Sequence, residues 1–160
     1  MNGQQALIDE LEDVIGNNEI GRRAEVLRRV TDLFVSGSAE LSSEQVALFD
    51  EVMSRLVEEV DKSARAEFGR RLATTVPAPP NVVRILALDD AIEVAGPVLS
   101  QSEQLDYGAL IEGAKTKSQE HLLAISRRRS LVEPVTDVLV DRGNSEVALS
   151  VAKNPGARFS

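Results

Sequence analysis

Apolar residues recur every three or four positions along nearly the whole chain, and no run shows the period of two that a half-buried strand requires. From Ile20 the set Ile20, Ala24, Leu27, Thr31 and Phe34 steps by four, three, four and three, which predicts one stripe of a helix stopping near Ser36 and Gly37. Arg22, Arg23, Arg28 and Arg29 flank that stripe. Ser42 with Gln45 three residues on is a capping box, and Leu41 before it can staple to Val46. Phe49, Val52, Met53, Leu56 and Val60 then line one face, with Glu51, Glu58 and Glu59 off it. Ala64, Phe68 and Leu72 follow at a spacing of four.

Pro77, Pro79 and Pro80 interrupt the pattern, because prolines so close together cannot lie in a helix interior. They divide the chain into an N-terminal helical region, 1–76, and a second region, 77–160. Beyond them the texture changes to shorter helices punctuated by caps. Pro79 or Pro80 opens one carrying Val82, Val83, Ile85 and Leu86, and Asp89 or Asp90 caps the next. Ser102, Ser118, Ser130 and Asn144 each read as a further N-cap, Ser130 forming a second capping box with Glu133. Gly143 reads as a helix stop. Pro97 falls inside an apolar helix, where its ring and missing N–H cost about 3 kcal/mol, so that helix must kink or begin later.

Helices this short, joined this tightly, pack antiparallel on their neighbours. Glu120, Leu123, Ile125 and Arg127 match Glu146, Leu149, Val151 and Lys153 at a period of 26, and Val94 and Ala95 match Leu123 and Ala124 at 29. Both periods fit helix pairs, each burying one face against the next, as in HEAT and armadillo arrays. The predicted class is all-α, a helical bundle running into such helix pairs, with 1–160 allowed as one continuous superhelix. The stretch Asn154 to Ser160 reads as a connection into another helix, which makes this the N-terminal part of a longer protein.

Five segments carry a resemblance: Leu41 to Asp50, Ala64 to Leu72 with the prolines after it, Ile92 to Leu99, His121 to Ser130, and Val138 to Gly143 running on to Asn154 and Pro155. In that order they resemble a bacterial, chiefly alphaproteobacterial family, catalogued as a domain of unknown function with HEAT-like helical repeats. The resemblance runs from about residue 20. It implies an all-helical superhelical fold and carries over no activity and no catalytic residue.

Composition narrows the chemistry further. With no Cys and one His in 160 residues there is no thiolate, no disulfide and no His-rich metal site. The dispersed glycines make no phosphate-cradling loop. Asp89 with Asp90, and Glu58, Glu59 and Asp61, read as caps rather than catalytic pairs, and His121 as a partly exposed structural residue. No metal, cofactor or catalytic residue is assigned, and the protein is not expected to be an enzyme. No apolar run reaches the roughly 18 to 20 residues that span a bilayer, and the first ten residues lack a signal peptide's features. A cytoplasmic location without membrane contact is the expectation.

The net charge of −8 resides in residues 1–60, which hold 13 acids and 5 bases, while residues 61–160 hold 13 of each. Basic clusters therefore sit beside an acidic surface. The interaction residues singled out are Arg22, Arg23, Arg28, Arg29, Arg127, Arg128, Arg129, Arg142 and Lys153. Bases in a last turn meet the C-terminal dipole, which explains Arg127 to Arg129 without a ligand. Lys115 and Lys117 fall at the other end of the same helix. A scaffold or regulatory adaptor binding a protein partner is the leading expectation. The alternative is nucleic-acid or anion binding, decided by whether Arg127, Arg142 and Lys153 form one stripe. A homodimer covering Phe159 is a further expectation.

Overall fold

The computed structural model describes residues 8–12 and 22–160. Residues 8–12 are helical, and Ile20 of the first predicted stripe lies outside the described residues. The helices are α1 (Arg23–Gly37), α2 (Ser43–Val57), α3 (Lys62–Ala73), α4 (Pro80–Ala87), α5 (Ile92–Gln101), α6 (Tyr107–Thr116), α7 (Gln119–Ser126), α8 (Glu133–Arg142) and α9 (Ser145–Lys153). Among the described residues the only β pairing is an isolated parallel bridge between Leu131 and Ala157. The fold is all-α.

Alternate helices stack. α1, α3, α5, α7 and α9 form one row, each packed on the next member, and α2, α4, α6 and α8 form a second row against it. Pro77 and Pro79 lie in the α3–α4 connection and Pro80 opens α4, and the helices on both sides join the same two rows. One apolar core runs between the rows from Leu11 to Val151. Phe34 and Phe49 meet edge to face there, with ring centroids 5.2 Å apart. On the α1 stripe Leu27, Thr31 and Phe34 are buried, and Thr31 returns its hydroxyl to the Leu27 carbonyl at 2.6 Å.

Local capping sets most helix starts. Ser42 and Gln45 make the reciprocal capping box, Asp61 caps α3, Asp106 caps α6, Ser118 caps α7 and Asn144 caps α9. Pro80 stands at the first position of α4, where its missing N–H is harmless. Pro97 lies in the interior of α5, which runs on through it; Val94, Ala95, Val98 and Leu99 are fully buried and offset its cost.

Three expected caps differ. Ser102 does not start a helix: it ends α5, buried, while its Oγ accepts the Gln104 N–H at 3.3 Å and Asp106 opens α6. Ser130 caps nothing, because the buried Leu131 is held extended, donating its N–H to the Gly156 carbonyl and accepting from the Arg158 N–H, both at 3.0 Å. Helix α8 can begin only after that bridge, at Glu133, with Val132 before it. The residue before α5 is Ala91 rather than Asp89 or Asp90, though Asp89 accepts its N–H at 2.9 Å. Gly143 does end α8, but in an extended conformation; it is glycine because a Cβ would collide with the Leu139 carbonyl oxygen and the Val147 side chain. Residues 154–158 fold back onto Leu131, and Asn154 accepts the Gly156 N–H at 2.8 Å.

Candidate interaction groove

Long-range side-chain bonds knit each row together. Arg128, after α7, donates to the carbonyls of Leu99 and Ser102 at the end of α5, at 2.6 and 2.5 Å. Arg142, at the end of α8, donates to the carbonyls of Ala114 and Lys117 at the end of α6. Asn154, after α9, donates to those of Ser126 and Arg128 at the end of α7, at 2.9 and 2.7 Å. The three links have one pattern: a side chain just at or beyond one helix satisfies the last carbonyls of the helix two places earlier. The C-terminal ends of α5, α7 and α9 therefore gather at one edge, and those of α6 and α8 gather likewise.

At the α7–α9 edge a shallow groove of about 470 Å³ is lined by Ser126, Arg127, Arg128, Arg129, Ser150, Lys153, Asn154 and Pro155. A second cleft of about 330 Å³ lies between α5 and α7, lined by Ile92, Gly96, Pro97, Ser100, Gln101, Glu120, Leu123, Ala124 and Arg127. Arg127 belongs to both, so the two adjoin. Arg128 also lines a third cleft of about 220 Å³ with Glu103, Tyr107 and Ser130. Burial holds the Arg128 guanidinium below its ordinary pKa, and the field of Tyr107 and Glu103 acts in the opposite sense. Arg128 is thus a half-buried cation whose partners are carbonyls rather than a carboxylate.

The predicted interaction residues separate into two groups. Arg22 pairs with Glu25 at 3.2 Å, Arg23 with Glu59, and Arg28 grips Glu67 through two bonds of 3.0 and 3.1 Å. That fork holds the Glu67 carboxyl below the usual range and raises Arg28. Arg23 and Arg28 fasten α1 to its surroundings while the Arg22 pair stays within the first turn of α1, and of that cluster only Arg29 has no ion-pair partner among the described residues. In the second group Arg127, Arg129 and Lys153 come together in the groove, whereas Arg142 belongs to the other row and is turned onto α6. The stripe of Arg127, Arg142 and Lys153 is therefore broken at Arg142, because its guanidinium is committed to the Ala114 and Lys117 carbonyls.

The remaining candidates are structural. Asp89 accepts from Arg65 at 2.9 Å, Asp90 from Lys117 at 2.6 Å, and Asp61 caps α3. His121 is not partly exposed but buried at 1% exposure. Its Nε2 lies 2.8 Å from the Asp89 carbonyl and its Nδ1 2.6 Å from the Ser118 hydroxyl. Since a carbonyl only accepts, Nε2 carries the proton and Ser118 donates to Nδ1. Residue-by-residue reading missed Asp50, 3% exposed, which accepts the N–H groups of Asn81 and Val82 at 2.9 and 2.8 Å and so caps α4 from α2. It also missed Ser150 and Asn154 in the groove and Gln101 in the adjoining cleft; the Asn-Pro-Gly turn at 154–156 was the available signal for Asn154. Phe159, Leu149 and Val140 are 56%, 55% and 53% exposed. Among the described residues no helix is long and apolar enough to cross a membrane.

Fold and groove together define an all-helical, two-row stack with an open, partly basic row face. The model of a family of uncharacterised proteins conserved in bacteria (DUF2336) matches residues 94–160, so that the C-terminal part of the chain, from α5 onward and including the groove, is similar to that family. No curated protein and no solved structure matches the chain.

Proposed function

We propose that this protein is a helix-pair-repeat interaction module of the HEAT-like kind, a scaffold or regulatory adaptor that acts in the cytoplasm by holding a protein partner on the α5–α7–α9 face. The observation that carries the reading is the pair of adjoining clefts sharing Arg127 on that face. Stacked helix pairs present such grooves as extended binding surfaces. The links at 25 to 29 residues from Arg128, Arg142 and Asn154 support the repeat. No catalysis is assigned, since the carboxylates and the imidazole that could serve it are engaged in capping and pairing. A nucleic-acid ligand is the weaker reading, because Arg142 leaves the row and the chain has one Tyr and no Trp for stacking.

The test is affinity purification of the tagged protein from lysate of its own organism with and without nuclease treatment, alongside the double variant Arg127→Glu, Lys153→Glu and the control Arg55→Glu on α2. A stoichiometric protein retained by the wild type and the control but lost from the double variant is the expected result. Recovery of nucleic acid alone, or of no protein that distinguishes the double variant, contradicts the reading.

A further inference from the structure

Half of the 18 lysines and arginines of this protein are neutralised by ion pairs within it. Arg22, Arg23, Arg28, Arg55, Lys62, Arg65, Arg71, Arg84 and Lys117 all form ion pairs. In the α7–α9 groove the situation is reversed. Arg127 and Lys153 have no ion-pair partner among the described residues, and neither has Arg158 close by in sequence. Arg129 is 93% exposed and has only a long contact, 3.7 Å, to Glu103. No carboxylate lines that groove. Arg29, Arg70 and Lys115 are unpaired too, but each is on a different helix and lines none of these clefts.

Helix-end hydrogen bonds do not engage the groove cations. The carbonyls at the ends of α5 and α7 already receive Arg128 and Asn154, so Arg127 bonds to none of them. Lys153 likewise makes no bond to the end of α9. The segregation follows from the repeat itself: α7 and α9 lie side by side with their C-terminal ends together, as the 2.7 Å bond from Ser126 to Ser150 shows, so Glu120 and Glu146 fall at one end and Arg127 and Lys153 at the other. Across Arg127 the adjoining cleft has Ile92, Pro97 and Leu123 in its walls, with Ser100, Gln101 and Glu120 also lining it.

We infer that this groove takes an acidic peptide segment of a partner protein, bound extended across α5, α7 and α9. Its carboxylates meet Arg127, Arg129 and Lys153, and an apolar side chain enters the Ile92, Pro97 and Leu123 cleft. Charge complementarity carries the choice of occupant: no neighbour supplies an accepting group to Arg127 or Lys153, Arg129 has only its long contact to Glu103, and a carboxylate makes forked, charge-assisted bonds to arginine. Helices packed about 10 Å apart set the span at roughly 20 Å, which six or so extended residues cover. This inference rests on the reading of the face as a protein-binding surface and adds the chemistry of what binds.

The probe is a fluorescein-labelled peptide, Glu-Leu-Asp-Glu-Leu-Glu, against its neutral isostere Gln-Leu-Asn-Gln-Leu-Gln and a 20-nucleotide single strand, followed by fluorescence anisotropy at low and high salt. The acidic peptide should bind about tenfold or more tightly than the isostere, lose that margin in Arg127→Glu, Lys153→Glu, and keep it in Arg55→Glu. Equal binding of the two peptides overturns the inference, as does an acidic-peptide affinity that the double variant leaves unchanged. Tighter binding of the single strand, lost in the same variant, overturns it in favour of nucleic acid. If the lysate experiment captures a groove-dependent protein while the peptides do not discriminate, the interaction module stands and its acidic ligand falls. Circular dichroism of the variants confirms that they fold, which is expected because both side chains are exposed and unbonded.

Discussion

Asp50 brings a carboxylate into the core beside two helix N–H groups that have no other cap, since Pro79 and Pro80 supply no side-chain acceptor to α4. Asp50→Ala strands both donors and should cost about 2 to 3 kcal/mol, with Asp50→Asn in between because one acceptor survives. Urea denaturation of the two variants measures this. Nothing local in the sequence marks Asp50 as a cap, since the N–H groups it caps lie 31 and 32 residues away, and it sits among the apolar residues of an amphipathic helix. Ser42 and Gln45, by contrast, were legible because a capping box is complete within four residues. His121 shows the same divide: its place near a helix start was readable, its burial against the Asp89 carbonyl was not. Charge pairing acts at this scale as well. The carboxyls of Glu67, Asp90 and Glu93 are held below their ordinary values, chiefly by hydrogen bonds from Arg28, Lys117 and Lys62. A depressed carboxyl pKa adds stability that is full above the unfolded value, about 4, and is lost as pH falls through the lower folded value. These groups are exposed, so the gain is small and screened by salt. Carboxyl-carbon NMR titration should show the three returning toward ordinary values in Arg28→Ala, Lys117→Ala and Lys62→Ala respectively; unchanged titrations would show that the pairs do not form in solution.

At the scale of elements, what holds the rows together is the sealing of each helix end by the helix two places on. Arg142 does this for α6 and Arg128 for α5. Arg142→Ala should therefore lose about 1 to 3 kcal/mol, whereas Arg55→Ala, which removes only an exposed pair with Glu51 at 2.8 Å on the same helix, should change stability by less than about 0.5 kcal/mol. Equal effects in thermal melts would show that the end-sealing bonds contribute nothing. Helix identity was readable throughout, because the three-and-four spacing of apolar positions is a property of each segment alone. The starts that misled, at Ser102 and Ser130, have cap-type residues whose side chains or backbones are taken by distant partners: Ser102 by Arg128 and its own tight turn, Ser130 by the bridge its neighbour Leu131 makes with residues 156–158. Sequence spacing cannot show that competition.

At the scale of the molecule, nine described helices between residues 23 and 153 share one core, and the same packing that buries it sorts the polar residues by end. The period of 26 linking Arg127 to Lys153 was visible as a repeated pattern; that it would leave those two bases unpaired in one groove while Arg142 turned inward was decided by which row each helix joins. The groove is therefore a consequence of the fold, and its occupancy is the claim on which the functional account depends. The most direct measurement is site-specific photo-cross-linking in living cells, with a photoreactive amino acid placed at Gln101 or Glu120 beside the groove and at Arg55 or Val76 away from it. All four positions are exposed. The account predicts discrete protein adducts from the first two sites, abolished by Arg127→Glu with Lys153→Glu, and none from the other two. Adducts confined to Arg55 and Val76, or no protein adduct at any of the four, would contradict it.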